Sequence, residues 1–216
     1  MGRIHLGVLG GGVLMLVTLF LLSYGFAQFL LESPIDGGHV LVVPLEGVIS
    51  YDTSSGMFGR TEVSSKEVVA LLAKIKKDSS VRAVLLDINS PGGTVVGSQE
   101  IADAVSQLNV PVYAVVHEVA ASGAYWIAAS ADTIVASPMS IIGSIGVVSS
   151  YLEFGELLSR YGVDYERLVA GKYKDLGSPY RNLSSEERAL LQGKLDAIHA
   201  RFVFEVASKR NLPETD

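Results

Sequence analysis

Two short, mostly apolar runs set the strongest limit on what this chain can fold into. VRAVLLDIN (Val81–Asn89) and VPVYAVVH (Val110–His117) are rich in β-branched and aliphatic residues, as strands buried on both faces are. Between them Ser98–Leu108 reads as an amphipathic helix. Before them, Ser64–Lys77 carries Val68, Val69, Leu71, Leu72 and Ile75 at helical spacing and ends in lysines, as a helix C-terminus prefers. HVLVVPLEGVI (His39–Ile49) reads as one more strand and DTIVAS (Asp132–Ser137) as a short one. Ala120–Ala131 reads as a buried helix of small residues, with further helices at Leu152–Tyr161 and Ser184–Lys209. Tyr51–Thr61 is Gly/Ser-rich and predicts a loop. Strands alternating with helices predict an α/β domain whose parallel sheet is covered on both faces.

The composition suits one such domain. Hydrophobic residues make up 49% and charged residues 19%, enough apolar material for a core and too much for a disordered chain. The net charge is −6 and no basic stripe runs along any predicted element, so nucleic acid is not an expected partner. There is no cysteine, which excludes disulfides, thiolate metal sites and a thiol nucleophile together. No cofactor or metal site is expected.

The N-terminus carries a second constraint. No charged residue occurs from Leu6 to Leu31. About 20 apolar residues cross a bilayer core as a helix, so this run predicts a single transmembrane anchor over 6–31. A cleaved signal peptide is the rival reading, with a shorter apolar region and a small-x-small site after it; SYGFAQFLLESP offers no such site. Arg3 precedes the span, and Glu32 and Asp36 follow it. This polarity predicts residues 1–5 in the cytoplasm, a linker over 32–38, and a domain over 39–216 outside the cell membrane.

Two segments carry candidate chemistry. DINSPGGT (Asp87–Thr94) runs straight off a strand end, where ligand sites of α/β sheets lie. Pro91 stops the strand, and Gly92-Gly93 permit backbone conformations and close approaches closed to other residues. Two adjacent amides there suit an oxyanion; a plain strand-to-helix turn is the alternative. No phosphate-loop pattern accompanies the glycines. The second segment, HEVAASGAYW (His117–Trp126), again passes from a strand into a helix of small residues. Ser122 sits at that junction, and a serine there is ordinarily a helix cap. Its neighbours Ala120, Ala121, Gly123 and Ala124 leave room for a peptide backbone, and the helix dipole favours negative charge on oxygen there.

A nucleophilic serine needs a base. His5 precedes the span and His39 opens the first strand. His117 lies at the end of the incoming strand, and His199 falls on a late helix with its expected place on a solvated face. No histidine lies between residues 118 and 198. The remaining candidates are Lys172 and Lys174 in AGKYKDLGSPYR (Ala170–Arg181), and a lysine serves as a base only where burial lowers its pKa.

DINSPGG, AASGAYWIA, GSIGV and GKYKDLGSPYR, in this order and after an N-terminal span, resemble signal peptide peptidase A (protease IV) in its short, single-repeat form, from about His39 to the end of the chain. The resemblance implies the ClpP/crotonase-like spiral of ββα units and a serine endopeptidase with a Ser/Lys dyad. It implies Ser122 as nucleophile and Lys174 as general base. Ser144, in GSIG, would position the base, and Gly93 would supply an oxyanion-hole amide, with Gly123 as the second donor. It further implies peptide substrates left at the membrane by signal-peptide cleavage, and a homo-oligomeric ring. Family members continue beyond the last helix into a further strand and helix; this sequence stops at Asp216, so a truncated or shortened domain is expected. Two rival classes share the predicted fold: a crotonase-type acyl-CoA enzyme, and a non-catalytic membrane scaffold. The late helix bears Leu190, Leu191, Leu195, Ile198, Phe202, Val203 and Val206, a stripe wide enough for its own domain or for a neighbouring protomer.

Overall fold

The computed structural model describes residues 38–52 and 62–214. The predicted anchor at 6–31, its flanks and most of the loop at Tyr51–Thr61 lie outside these residues. No helix among the described residues is long and apolar enough to cross a membrane.

The central sheet is parallel throughout. β1 (His39–Glu46), β4 (Val81–Ser90), β5 (Val112–Ala121) and β6 (Thr133–Ala136) lie side by side in that order, and β7 (Ile141–Gly143) also pairs with β5. A small second sheet joins β2 (Val48–Ser50) to β3 (Glu62–Ser64). The single strand expected over His39–Ile49 is thus two. Gly47, at φ 92°, turns the chain from one sheet into the other, and its N–H donates to Asn89 O at 3.0 Å.

The helices are α1 (Ser65–Ile75), α2 (Val95–Ser106), α3 (Gly123–Ala129), α4 (Gly155–Arg160) and α5 (Ser185–Arg210). Ser64 caps α1 by accepting from Glu67 N, and Ser184 with Glu187 forms a full capping box at the start of α5. α1, α2 and α3 turn their apolar stripes inward: Val68, Leu72 and Ile75 of α1, Ile101 and Val105 of α2, and Trp126 and Ile127 of α3 are buried, whereas α4 buries no residue. α5 joins this core at its C-terminal half, where Phe202 stacks on Trp126 with ring centroids 4.6 Å apart. Phe202 and Val206 are buried, whereas Leu190 remains 49% exposed, so only part of the predicted stripe is used within the chain.

One expectation fails. Rows of paired residues such as Val43–Leu86–Ala114 and Leu45–Ile88–Val116 form the buried face of the sheet. The opposite face carries Val42, Leu85, Tyr113 and Val135, and no described element covers it; Val42 is 56% and Val135 52% exposed. Among the described residues the sheet is covered on one face rather than both. Composition alone did not separate a face packed within the chain from one left apolar and open, because both demand the same residue types.

β5 divides its partners along its length. Tyr113–Val116 pair with β6, and Val119–Ala121 pair with β7. The strand runs four residues further than predicted, so Ala120 and Ala121 belong to it and not to the helix. This extension carries the chain up to Ser122 beside the SPGG segment.

Candidate active site

Ser122 lies between β5 and α3 with φ 52° and ψ −125°, a backbone state that is sterically costly for a residue with a Cβ. Its backbone is pinned on both sides. Its N–H donates to Gly143 O at 2.8 Å, and its carbonyl accepts from Trp126 N at 3.1 Å. Its side chain makes no capping hydrogen bond, so the ordinary reading of a serine at a helix start does not apply. The half-buried hydroxyl has no hydrogen-bond partner among the described residues, on a turn whose geometry is otherwise fully determined.

The SPGG segment packs directly against this turn. A Cβ on Gly92 (φ 96°) would sit 2.9 Å from Ser122 Cβ and 2.8 Å from Gly123 N, so only glycine permits the approach. A Cβ on Gly93 would fall 1.9 Å from Ile49 O, because β2 crosses there and bridges Ile49 to Gly93. A Cβ on Gly123 would meet Ser98 Oγ at 2.0 Å, and the Gly93 nitrogen lies 3.6 Å from that same point. The amides of Gly93 and Gly123 are therefore neighbours beside the hydroxyl. Among the described residues neither donates a backbone hydrogen bond. Two idle amides next to a free hydroxyl are what an oxyanion intermediate requires.

Two buried serines, unpredicted in this role, hold the arrangement. Ser90 Oγ accepts from Gly92 N at 3.1 Å and fixes the loop, while Ser98 Oγ donates to Thr94 O at 2.8 Å beneath Gly123. Both are 0% exposed. A serine following an apolar strand and preceding Pro-Gly-Gly is a turn-forming signal that was legible; the fit of Ser98 under Gly123 was not.

Ser144 follows Gly143, the residue tied to Ser122 N, and also has positive φ, 54°. Backbone pairing thus brings the Ser144 position to the candidate nucleophile. Lys174 is different. It lies on an exposed turn, and no hydrogen bond joins it to Ser122 or to any other side chain among the described residues. Its backbone N–H donates to Gly171 O at 3.2 Å. Lys172 is ion-paired to Glu186 at 2.6 Å, and that pairing raises its affinity for a proton. Of the five predicted site residues, the single chain gathers Ser122, Gly93, Gly123 and Ser144, and leaves Lys174 apart.

The stretch bearing Lys174 is a separate arm. From Val148 to Tyr180 it exposes apolar side chains, with Val148 at 87% and Leu168 at 89%. Its backbone hydrogen bonds are internal, as from Phe154 N to Pro179 O at 2.6 Å, and the Tyr165 and Tyr180 rings lie 5.2 Å apart. Asp175, next to Lys174, is gripped by Arg167 at 2.6 Å and Arg181 at 2.9 Å. Those guanidiniums, Arg167 first, hold its carboxyl far below the usual range.

The remaining histidines differ from expectation in setting but not in role. His117 lies within β5 and pairs through Nε2 with Asp87 Oδ1 at 2.5 Å, on the open face of the sheet. His199 is half-buried and lines an apolar groove of about 350 Å³ with Ile145, Val203 and Val206, rather than standing in solvent. No cluster of metal-ligating side chains occurs among the described residues.

A hydroxyl on a constrained strand-to-helix turn, beside two idle glycine amides on a parallel α/β core, is an arrangement suited to a serine nucleophile. The chain matches Peptidase family S49 over residues 104–216 and Clp protease over 57–142. It is 35% identical over 212 residues to a protein of Methanocaldococcus jannaschii that bears the name of a protease, covering 93% of this chain and 68% of that protein. It is also 35% identical over 185 residues to an Enterococcus faecium protein named for signal peptide peptidase SppA, covering 84% of this chain but only 54% of the other. Among solved structures it is similar in fold to ClpP1 of Listeria monocytogenes, with TM-score 0.50, 13% identity, and coverage of 85% of this chain and 79% of that one. The chain belongs to peptidase family S49, and with it to the proteases.

Proposed function

We propose that this chain is a membrane-anchored serine endopeptidase that cleaves apolar peptides, chiefly signal-peptide remnants, beside the bilayer. The observation that carries the reading is the unpartnered Ser122 hydroxyl beside the Gly93 and Gly123 amides. In this reading a neutral Lys174 amine takes the proton from Ser122 Oγ as the oxygen attacks the peptide carbonyl. The two amides hold the oxyanion of the tetrahedral intermediate. The lysine ammonium then protonates the departing amine, and a water, deprotonated by the same lysine, releases the acyl group from Ser122. Ser144 orients the amine. Residues 6–31 anchor the chain with its N-terminus in the cytoplasm and the domain outside.

The exposed Lys174 calls for a shared site. A lysine in open solvent stays protonated and is no base. The apolar, uncovered arm supports a ring in which Lys174 of one protomer meets Ser122 of the next, where burial lowers the amine's pKa. The same exposure favours a second reading, a non-catalytic scaffold. A fluorophosphonate probe separates the two: a peptidase is labelled at Ser122 and a scaffold is not. The decisive experiment is complementation in detergent. Ser122→Ala and Lys174→Ala proteins are each expected to be inactive and to regain part of the activity when mixed. No recovery in verified mixed oligomers rules out the shared site.

A further inference from the structure

The arm is loosely attached through apolar contacts and firmly attached through charge. Four side chains form one chain of ion pairs. Arg167 binds the Asp175 carboxylate with two nitrogens, Nε to Oδ2 at 2.6 Å and Nη2 to Oδ1 at 2.7 Å. Arg181 binds the same carboxylate from the other side, Nε to Oδ2 at 2.9 Å and Nη2 to Oδ1 at 3.1 Å. Arg181 then reaches Glu187 with both terminal nitrogens, at 2.8 Å and 2.6 Å. Glu187 also accepts from Ser184 N at 2.9 Å, which closes the capping box of α5. Planar bidentate pairs of this kind fix orientation as well as distance.

The two ends of the chain differ in burial. From end to end, side-chain exposure is 40% at Arg167, 16% at Asp175, 22% at Arg181 and 7% at Glu187, so the outer end is the most exposed and the helix end the most buried. It therefore runs from the outer arm to the first turn of a long helix, and the helix is locked into the core at its other end by Phe202 on Trp126. Two positive and two negative groups make the cluster neutral. Asp175 is the covalent neighbour of Lys174, on a turn otherwise held by backbone bonds from Lys174 N to Gly171 O and from Leu176 N to Tyr173 O. On the other side of Lys174, Lys172 Nζ and Tyr173 Oη both donate to Glu186 Oε1, each at 2.6 Å. Lys174 is thus a free side chain on a turn bolted at both shoulders to residues 186 and 187.

We infer that Asp175, clamped by Arg167 and Arg181 onto Glu187, is a positioning residue that sets the pose of Lys174, tying the arm to the helix that registers it against the core. The inference rests on the reading of Lys174 as the general base. It assigns to the paired acid and arginines a task distinct from holding the domain together: the core of α5 and α3 is packed without them. A lysine amine misplaced by about 1 Å loses much of its rate while the peptide still binds.

The test uses the full chain in detergent and an internally quenched peptide of apolar residues. Asp175→Asn keeps the size of the side chain and removes the charge that both arginines grip. Its kcat should fall about tenfold or more, with KM within about twofold of wild type, unchanged oligomer mass, and core melting read at Trp126 close to wild type. Asp175→Glu, which restores the charge, should recover part of the loss. Should Asp175→Asn fail to fold, Arg167→Gln takes its place, since the half-exposed Arg167 leaves the Asp175–Arg181–Glu187 pairs intact; a smaller fall in kcat with KM unchanged is expected. A kcat within twofold of wild type in the folded variant overturns the inference, as does a loss that appears only together with loss of fold in both variants. Lys174→Ala runs in parallel. An inactive Lys174→Ala with a fully active Asp175→Asn removes the clamp alone. An active Lys174→Ala removes the base itself, and the clamp with it.

Discussion

The two halves of the candidate site are built on opposite plans. Ser122 sits on a turn held by Gly143 O and Trp126 N, above buried Ser98 and against two glycines that tolerate no Cβ. Its surroundings come from β7, α2, α3 and the loop after β4. Lys174 sits on an arm whose apolar side chains face outward and whose attachment is ionic. The proposed nucleophile and its two amides are gathered within one chain, whereas the proposed base stands apart from them on an exposed turn. A preformed oxyanion site must be rigid, since its value lies in not reorganising. A base whose pKa must be lowered can instead be assembled by burial at an interface, so that it is active only where it is sheltered.

That contrast is most sharply tested at Ser122 itself. Ser122→Ala should lower peptide hydrolysis by about 10⁴-fold or more, because the covalent route is lost and only the oxyanion site and binding remain. The melting temperature should stay nearly constant, since the hydroxyl makes no bond among the described residues. A marked drop in stability with activity retained would return the residue to a structural role.

The next effect lies in the glycines. Gly93→Ala places a methyl 1.9 Å from Ile49 O, which is backbone and cannot step aside. We expect a loss of about 1–3 kcal/mol in stability and loss of activity with it. Gly123→Ala meets the Ser98 hydroxyl instead, at 2.0 Å, and Ser98 Cβ at 2.7 Å. Because that obstacle is a side chain, Ser98→Gly in the same protein should restore folding to Gly123→Ala but not to Gly93→Ala. Urea unfolding of the two double variants checks this; equal rescue of both would mean that the packing around the two amides is not as distinct as the distances require.

How much of this was legible in the sequence follows the same division. The strand-to-helix junctions at Pro91-Gly92-Gly93 and at Ser122 could be placed because apolar runs end abruptly in small residues, a local signal. The parallel sheet followed from the alternation of elements. The open sheet face did not, since Val42, Tyr113 and Val135 look alike whether covered or bare. Nor did the positive φ of Ser122, which lies where β5 ends beside β7 and is tied to Gly143 O, a tertiary contact. On the arm, Asp175, Arg181 and the Ser184–Glu187 capping box were visible as residues, but their union spans a turn and a helix start that sequence spacing does not bring together. The resemblance placed Lys174 as the base, while nothing in the residues around it separated it from Lys172.

The smallest effect is an acid one, and it separates the halves by their chemistry. Arg181, and after it the Ser184 N–H, hold the Glu187 carboxyl down at about 2, and Asp175 lies lower still through Arg167 and Arg181. In an unfolded chain both would titrate near about 4. A carboxyl with a depressed folded pKa contributes its stability above the unfolded value and loses it as pH falls through the folded one. The arm should therefore be fully held above about pH 5 and should loosen between about pH 4 and 2. The nucleophile half has no such dependence, since its turn is held by backbone amides, serines and apolar packing. Trp126, the only tryptophan, is buried in that half against Phe202 and reports on it. At pH 3, pepsin should cut within residues 145–183 while Trp126 emission keeps its buried character, and Glu187→Gln should move the onset of cleavage to higher pH. Simultaneous loss of both signals at one pH would mean that the arm and the core unfold as one unit, and that the ionic attachment is not what holds the base.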